Sequence, residues 1–140
     1  MPKIPDHVFE FEKFYVRSGK LIAAVRVTDE RYSYTTQEIA REVHSRVPYI
    51  MQHACINDEG PTFSNVADHT SMPHMLEHVV IALQAQQEPA YAFGTTYVGK
   101  TYWTDRAARK ACVEVNFVDD FVALNSFKKA AALLDSIVLK

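Results

Sequence analysis

Hydrophobic positions along this chain change period several times, and the changes mark out its elements. Over residues 7–16, Val8, Phe9, Phe11, Phe14 and Val16 partly alternate with polar neighbours, which predicts a strand. Ser18-Gly19-Lys20 is a turn signal. Residues 21–27 are aliphatic and rich in β-branched side chains, so a first hairpin is expected. Residues 28–33 are polar connection. Thr35 or Thr36 then caps a helix with Glu38 near its start, and Ile39, Ala40, Val43 and Val47 follow at helical spacing until Pro48. Residues 49–53 offer another short helical turn.

Asn57-Asp58-Glu59-Gly60-Pro61 is a loop, and the polar stretch through Thr70 stays irregular. The helical period returns from Ser71 to about Gln86, with Ser71 as cap and Pro73 in the first turn. Met75, Leu76, Val79, Val80 and Leu83 form one side, while Ile81 and Ala85 continue the other, so this helix is apolar nearly all round and expected to be buried. Residues 86–89 end it. Residues 91–103 are aromatic and threonine-rich, punctuated by Gly94 and Gly99, and Phe93-Gly94-Thr95 marks a strand bend or a tight approach to the site. A turn is expected at 104–107. Residues 110–118 alternate, with Cys112, Glu114 and Asn116 on one face and Val113, Val115 and Phe117 on the other, completing a second hairpin. Asp119-Asp120 leads into a last amphipathic helix over 121–138.

The order ββααββα argues an α+β fold: one domain over 1–140, with 1–6 a loose lead-in and an antiparallel sheet from two hairpins covered by about three helices. Exposed hairpin edges leave a homodimer open. Composition narrows the partners. The net charge is −2 and no basic stripe is visible, which argues against nucleic acid. No apolar run approaches the ~20 residues of a membrane span, and there is no signal-peptide core, so a cytoplasmic, membrane-free protein is expected. In that setting Cys55 and Cys112 are expected as free thiols.

Chemistry concentrates in His74-Met75-Leu76-Glu77-His78. At about 3.6 residues per turn, His74 and His78 share a helix face and Glu77 lies at its edge. Two imidazoles one turn apart chelate a single ion, and a neighbouring carboxylate can take a proton from water on that ion. The order H-x-x-E-H is that of the inverted zincins. Burying two imidazoles and a carboxylate without partners costs several kcal/mol as an order of magnitude, so a partner such as a metal ion is expected.

A set of further motifs, in order and with similar gaps, resembles the N-terminal domain of cyanophycin synthetases. An L-P-x-L-x-x-H-x-C stretch is matched by Val47-Pro48-Tyr49-Ile50-Met51-Gln52-His53-Ala54-Cys55. An H-x-x-E-H-x-A-x-x-L-Q helix is matched by residues 74–84, an F-G-x-T segment by Phe93-Gly94-Thr95-Thr96, and a strand ending in acids by Phe117-Val118-Asp119-Asp120. Departures are Ser71-Met72-Pro73 where small residues are usual, and Val80 where the pattern has alanine. There is no P-loop, so synthetase activity does not carry over. The resemblance implies a domain that holds cyanophycin, a poly-aspartate with arginine on each side chain, or cuts it at a zinc site.

A catalytic Zn²⁺ takes three protein ligands and keeps a fourth position open. His74 and His78 supply two. Cys55, which matches the family's cysteine, is the first choice for the third. Glu114 is the second choice, because inverted zincins use a downstream glutamate. His53 and His69 remain candidates. Glu77 is the expected catalytic base. His53, Asp119 and Asp120 are weak candidates for contact with the polymer. Two functions are therefore expected as alternatives: a zinc-dependent, metallopeptidase-like hydrolase of cyanophycin or a similar Asp/Arg-rich polymer, or a non-catalytic module that binds the chain.

Overall fold

The computed structural model describes residues 5–55, 57–87 and 96–140. Its elements are β1 (Phe9–Arg17), β2 (Lys20–Val27), α1 (Gln37–Arg46), α2 (Met72–Gln87), β3 (Gly99–Asp105), β4 (Lys110–Asn116) and α3 (Asp120–Val138). Short 3-10 turns lie at Glu30–Tyr32, Pro48–Gln52 and Phe63–Asn65. The ββααββα order and the α+β class are as expected. The bend at Phe93-Gly94-Thr95 falls outside the described residues.

The two hairpins join into one antiparallel sheet in the order β1-β2-β4-β3, so β3 is an edge strand. The first turn carries Ser18 and Gly19 at positive φ (51° and 76°). Gly19 adopts that conformation without a side-chain penalty. Alternation decides which side of the sheet is covered. Leu21, Ala23, Val25 and Val27 of β2 pair in register with Val115, Val113, Ala111 and β1's Phe9, and all belong to the buried core. Phe11 and Phe14 of β1 meet Phe127 of α3 edge-on, at 6.2 and 5.5 Å between ring centroids. Helix α2 packs against β3, β4 and α3.

Local signals set the helix boundaries. Thr36, not Thr35, caps α1 by accepting from Ile39 N–H; Thr35 is buried and donates to the Ala67 carbonyl instead. Pro48 stops α1, and the chain continues as a 3-10 turn through Gln52. Ser71 Oγ accepts from His74 N–H at the start of α2, and Asp119 caps α3. Helix α2 is buried nearly all round: Met75, Leu76, Val79 and Val80 have no exposed surface, and Glu77 and His78 are only 4% and 3% exposed. Strand β3 runs on to Asp105 and the turn begins at Arg106, because a register irregularity between Trp103 and Asp105 carries the pairing past the expected turn. Among the described residues no helix is long and apolar enough to cross a membrane. Cys55 and Cys112 are both free, and Cys112 is buried in the sheet.

Candidate metal centre

The first turns of α2 face a short extended segment. Cys55 N–H donates to Pro61 O and Phe63 N–H to His53 O, and Ala54 bridges Thr62. In such a segment residues i and i+2 share a side. His53 and Cys55 therefore both turn toward α2, while Ala54 is exposed. Pinned in this way, the segment brings Cys55 up to the histidine face of the helix.

Cys55, His74 and His78 each present one ligand atom, and these atoms all lie within 4.8 Å of one another. Zinc bonds of about 2.0–2.3 Å in a tetrahedral site put ligand atoms roughly 3.3–3.8 Å apart. Cys55 Sγ and His74 Nε2 are already 3.5 Å apart. One nitrogen of each ring has a partner outside this cluster. His74 Nδ1 bonds Thr70 Oγ1 at 2.8 Å, and His78 Nδ1 bonds His53 Nδ1 at 3.1 Å. Phe63, fully buried, stacks on His78 at 4.0 Å and meets His74 edge-on at 5.2 Å. Both imidazoles are thus oriented from behind, as outer partners do for metal-bound histidines.

One atom tests whether a cation fits. His78 Nε2 is buried and has no hydrogen-bond partner. A buried ring nitrogen without a partner costs free energy unless something fills its lone pair. If His78 donates its Nδ1 proton to His53, Nε2 is a bare lone pair on a ring that clusters with His74 and Cys55. The residues fit a metal ion.

Glu77 stands beside this point. Its Oε2 is 3.4 Å from His78 Nε2 without hydrogen-bond alignment, and Oε1 accepts from Thr101 Oγ1 at 2.8 Å. Burial pushes the Glu77 carboxyl up to about 7, against the pull of Thr101. Burial, with His74 and His53 adding to it, drives His78 down to about 2. Burial also lowers His74 and His53. These imidazoles are neutral at pH 7, the form that binds metal. The Glu77–His78 contact is therefore not an ion pair at neutral pH. Burial raises the Cys55 thiol, and the charge of Glu77 adds to it against a hydrogen bond from Asn57.

Glu114, Asp119, Asp120 and His69 lie away from this cluster. Glu114 falls on the wrong side of the sheet. Thr101 reaches Glu77 and pairs with Val113, so the helix-facing side holds Val113 and Val115. Glu114 sits between them in sequence and points the opposite way, next to Ile22 and Lys100. Asp119 Oδ1 is engaged by Phe121 and Val122 N–H, and Asp120 is exposed in the first turn of α3. Both lie toward the far end of α2, where Gln84 donates to Asn116 O. His69 is exposed between Glu59 and Asp68, bonded to both carboxylates. His53 is in the centre, as the partner of His78. Its H-x-C spacing from Cys55 was the available signal. Thr70, Phe63, Thr101 and Gly99 carry no such signal. Their roles depend on which strand and loop fold against α2.

Among the described residues, then, the fold presents a thiol, two oriented imidazoles and a buried carboxyl on one α+β domain. The profile of the cyanophycin synthase-like N-terminal domain family matches residues 21–139, and the chain belongs to that family. No curated protein matches it in sequence.

Proposed function

We propose that this domain is a metal-dependent hydrolase of peptide bonds in cyanophycin or a related Asp/Arg-rich polymer. The observation behind this reading is the cluster of Cys55, His74 and His78, whose ligand atoms lie within 4.8 Å of one another, with the partnerless, buried Nε2 of His78 3.4 Å from Glu77 Oε2. Cys55, His74 and His78 would hold the ion, zinc by the softness of the set. When bound, such an ion polarises a scissile carbonyl and makes water a better nucleophile at neutral pH. A closed structural site has no use for a fourth acidic group at this position, and that favours catalysis over a purely structural ion.

The protein's own residues do the rest. Thr70 and His53 hold the two rings. Thr101, bonded to Glu77 Oε1, leaves Oε2 on the side of the ligand atoms. Glu77 takes a proton from the attacking water and delivers it to the leaving amine. Family membership supplies the polymer as the substrate to try first.

Elemental analysis of the protein as purified, beside Cys55→Ser, tests the ion. Incubation with cyanophycin and zinc tests the reaction. Glu77→Gln should keep metal and lose cleavage by about 10²-fold or more, the range for a general base. If wild type and Glu77→Gln both bind polymer and neither cuts it, the domain is a chain-holding module and the hydrolase reading falls.

A further inference from the structure

A second hollow lies next to the metal centre, and nothing in the chemistry above uses it. It encloses about 500 Å³ and is lined by Glu30, Ser33, Tyr34, Trp103, Arg106, Ala107 and Arg109. That size suits a small ligand or one large side chain. We propose that it binds an arginyl unit carrying a free α-carboxylate, the zwitterionic branch of an Asp/Arg polymer. This rests on the substrate class proposed for the centre.

Three features carry the assignment. The first is unspent positive charge. Arg106 makes no ion pair among the described residues and lies over the Trp103 ring at 6.0 Å. Arg109 is anchored through Nε to Val27 O at 2.9 Å, which leaves its terminal N–H groups for a ligand. The nearby acid Asp29 is already held by the backbone and side chain of Arg31. Two guanidinium groups beside a hollow fit a carboxylate, which they bind through paired N–H donors.

The second feature is a complementary end. Glu30 lines the same hollow and is exposed. Tyr34 and Trp103 stand 6.2 Å apart at 57°, an open aromatic wedge. A ligand guanidinium is planar and cationic, so it stacks on aromatic faces and pairs with a carboxylate. An anion alone would leave Glu30 facing it, and a cation alone would face two arginines. A molecule bearing both charges suits the lining.

The third feature is position. Gly99, Thr101 and Trp103 share one face of β3, where Gly99 and Thr101 abut Glu77. Trp103 is two residues further along, or about 7 Å at strand spacing. On the other side, Tyr34 bridges Ser71, whose Oγ accepts from His74 N–H. A chain cut beside Glu77 could therefore seat a neighbouring branch in the hollow.

Trp103 is the single tryptophan, so intrinsic fluorescence reports on this hollow. The experiment titrates metal-free protein with Nα-acetylarginine, agmatine (which lacks the carboxylate) and N-acetylglycine (which lacks the guanidinium). Nα-acetylarginine should give a saturable change, with each truncated probe weaker by about 10-fold or more, as expected for loss of a charged hydrogen bond. Arg106→Ala should remove the advantage over agmatine, and Glu30→Gln the advantage over N-acetylglycine. No saturable change, or equal affinity for all three probes, overturns the assignment. Because no metal or turnover enters this titration, its failure leaves the hydrolase reading untouched. Failure of the Glu77→Gln comparison likewise leaves this binding result standing.

Discussion

Gly99 ties the stability of the fold to the placement of Glu77. Its φ is not in the left-handed region, so the backbone does not require glycine there. Space does. A Cβ at this position would sit 2.7 Å from Glu77 Cγ and 2.8 Å from both Cδ and Oε2. Non-bonded carbon atoms prefer about 3.5–4.0 Å, so Gly99→Ala forces an overlap of nearly an ångström. Glu77 is buried, and its other oxygen is tied to Thr101, so it cannot swing into solvent. Overpacking of this kind costs about 1–3 kcal/mol. Alanine also restricts the unfolded chain, which offsets about 0.5–1 kcal/mol. The net loss should be about 0–2.5 kcal/mol, centred on about 1 kcal/mol, or a few degrees in Tm. If Glu77 yields by about an ångström, cleavage should fall on the order of 10²-fold.

A double-mutant cycle in urea isolates the contact. Glu77→Ala removes all three atoms that the new Cβ would strike. In that background Gly99→Ala should be neutral or stabilising, giving a coupling of about 1–3 kcal/mol. If Gly99→Ala costs the same in both backgrounds, within about 0.5 kcal/mol, Glu77 is not wedged against the strand and its placement has another cause.

Two further outcomes follow from side-chain partners. His53→Ala leaves His78 without its Nδ1 partner, so metal affinity should drop about 10–100-fold, as for loss of an outer partner; chelator competition measures this, and unchanged affinity would show that His53 does not orient the ring. His7, exposed and bonded to Asp135 at 2.8 Å, has its pKa raised above 6.5 by that hydrogen bond and then by the Asp135 charge. Its contribution to stability is therefore complete below pH 6.5 and fades as pH climbs through the raised value. The gap between urea midpoints for wild type and His7→Ala should be widest below pH 6.5 and narrow as pH rises above it; a constant gap refutes the linkage.

The sequence foretold elements better than faces between elements. Helix α2 was legible because Ser71, the apolar run and the H-x-x-E-H spacing all lie within one local stretch, where helical geometry alone decides who shares a side. The strands of both hairpins were legible for the same reason. Glu114 shows where this stops. Its alternation with Val113 and Val115 placed it correctly on the opposite face of β4, yet nothing local said which face the helices cover. That depends on the β2–β4 pairing, which unites residues far apart in the chain. Asp119 shows the complementary difficulty: a carboxylate before a helix serves equally as cap or ligand until its neighbours are known, and here two backbone N–H groups claim it.

The same distinction explains why the candidate ligands were easier to read than the groups that orient them. A ligand must be a thiol, an imidazole or a carboxylate, so residue type narrows the field. An orienting partner need only present one polar atom at the right place. Threonine, serine, histidine or a backbone carbonyl would serve behind His74, and residue type cannot select Thr70 from among them. Burial makes these anonymous groups matter. In an exposed site water would satisfy either ring nitrogen, and tautomers would exchange freely. Behind Phe63, with His78 only 3% exposed, the protein itself must assign one nitrogen to a neighbour and leave the other open. The open nitrogen of His78 is determined by residues on three separate segments: His53 before α2, Phe63 beside it, and the helix that carries His78.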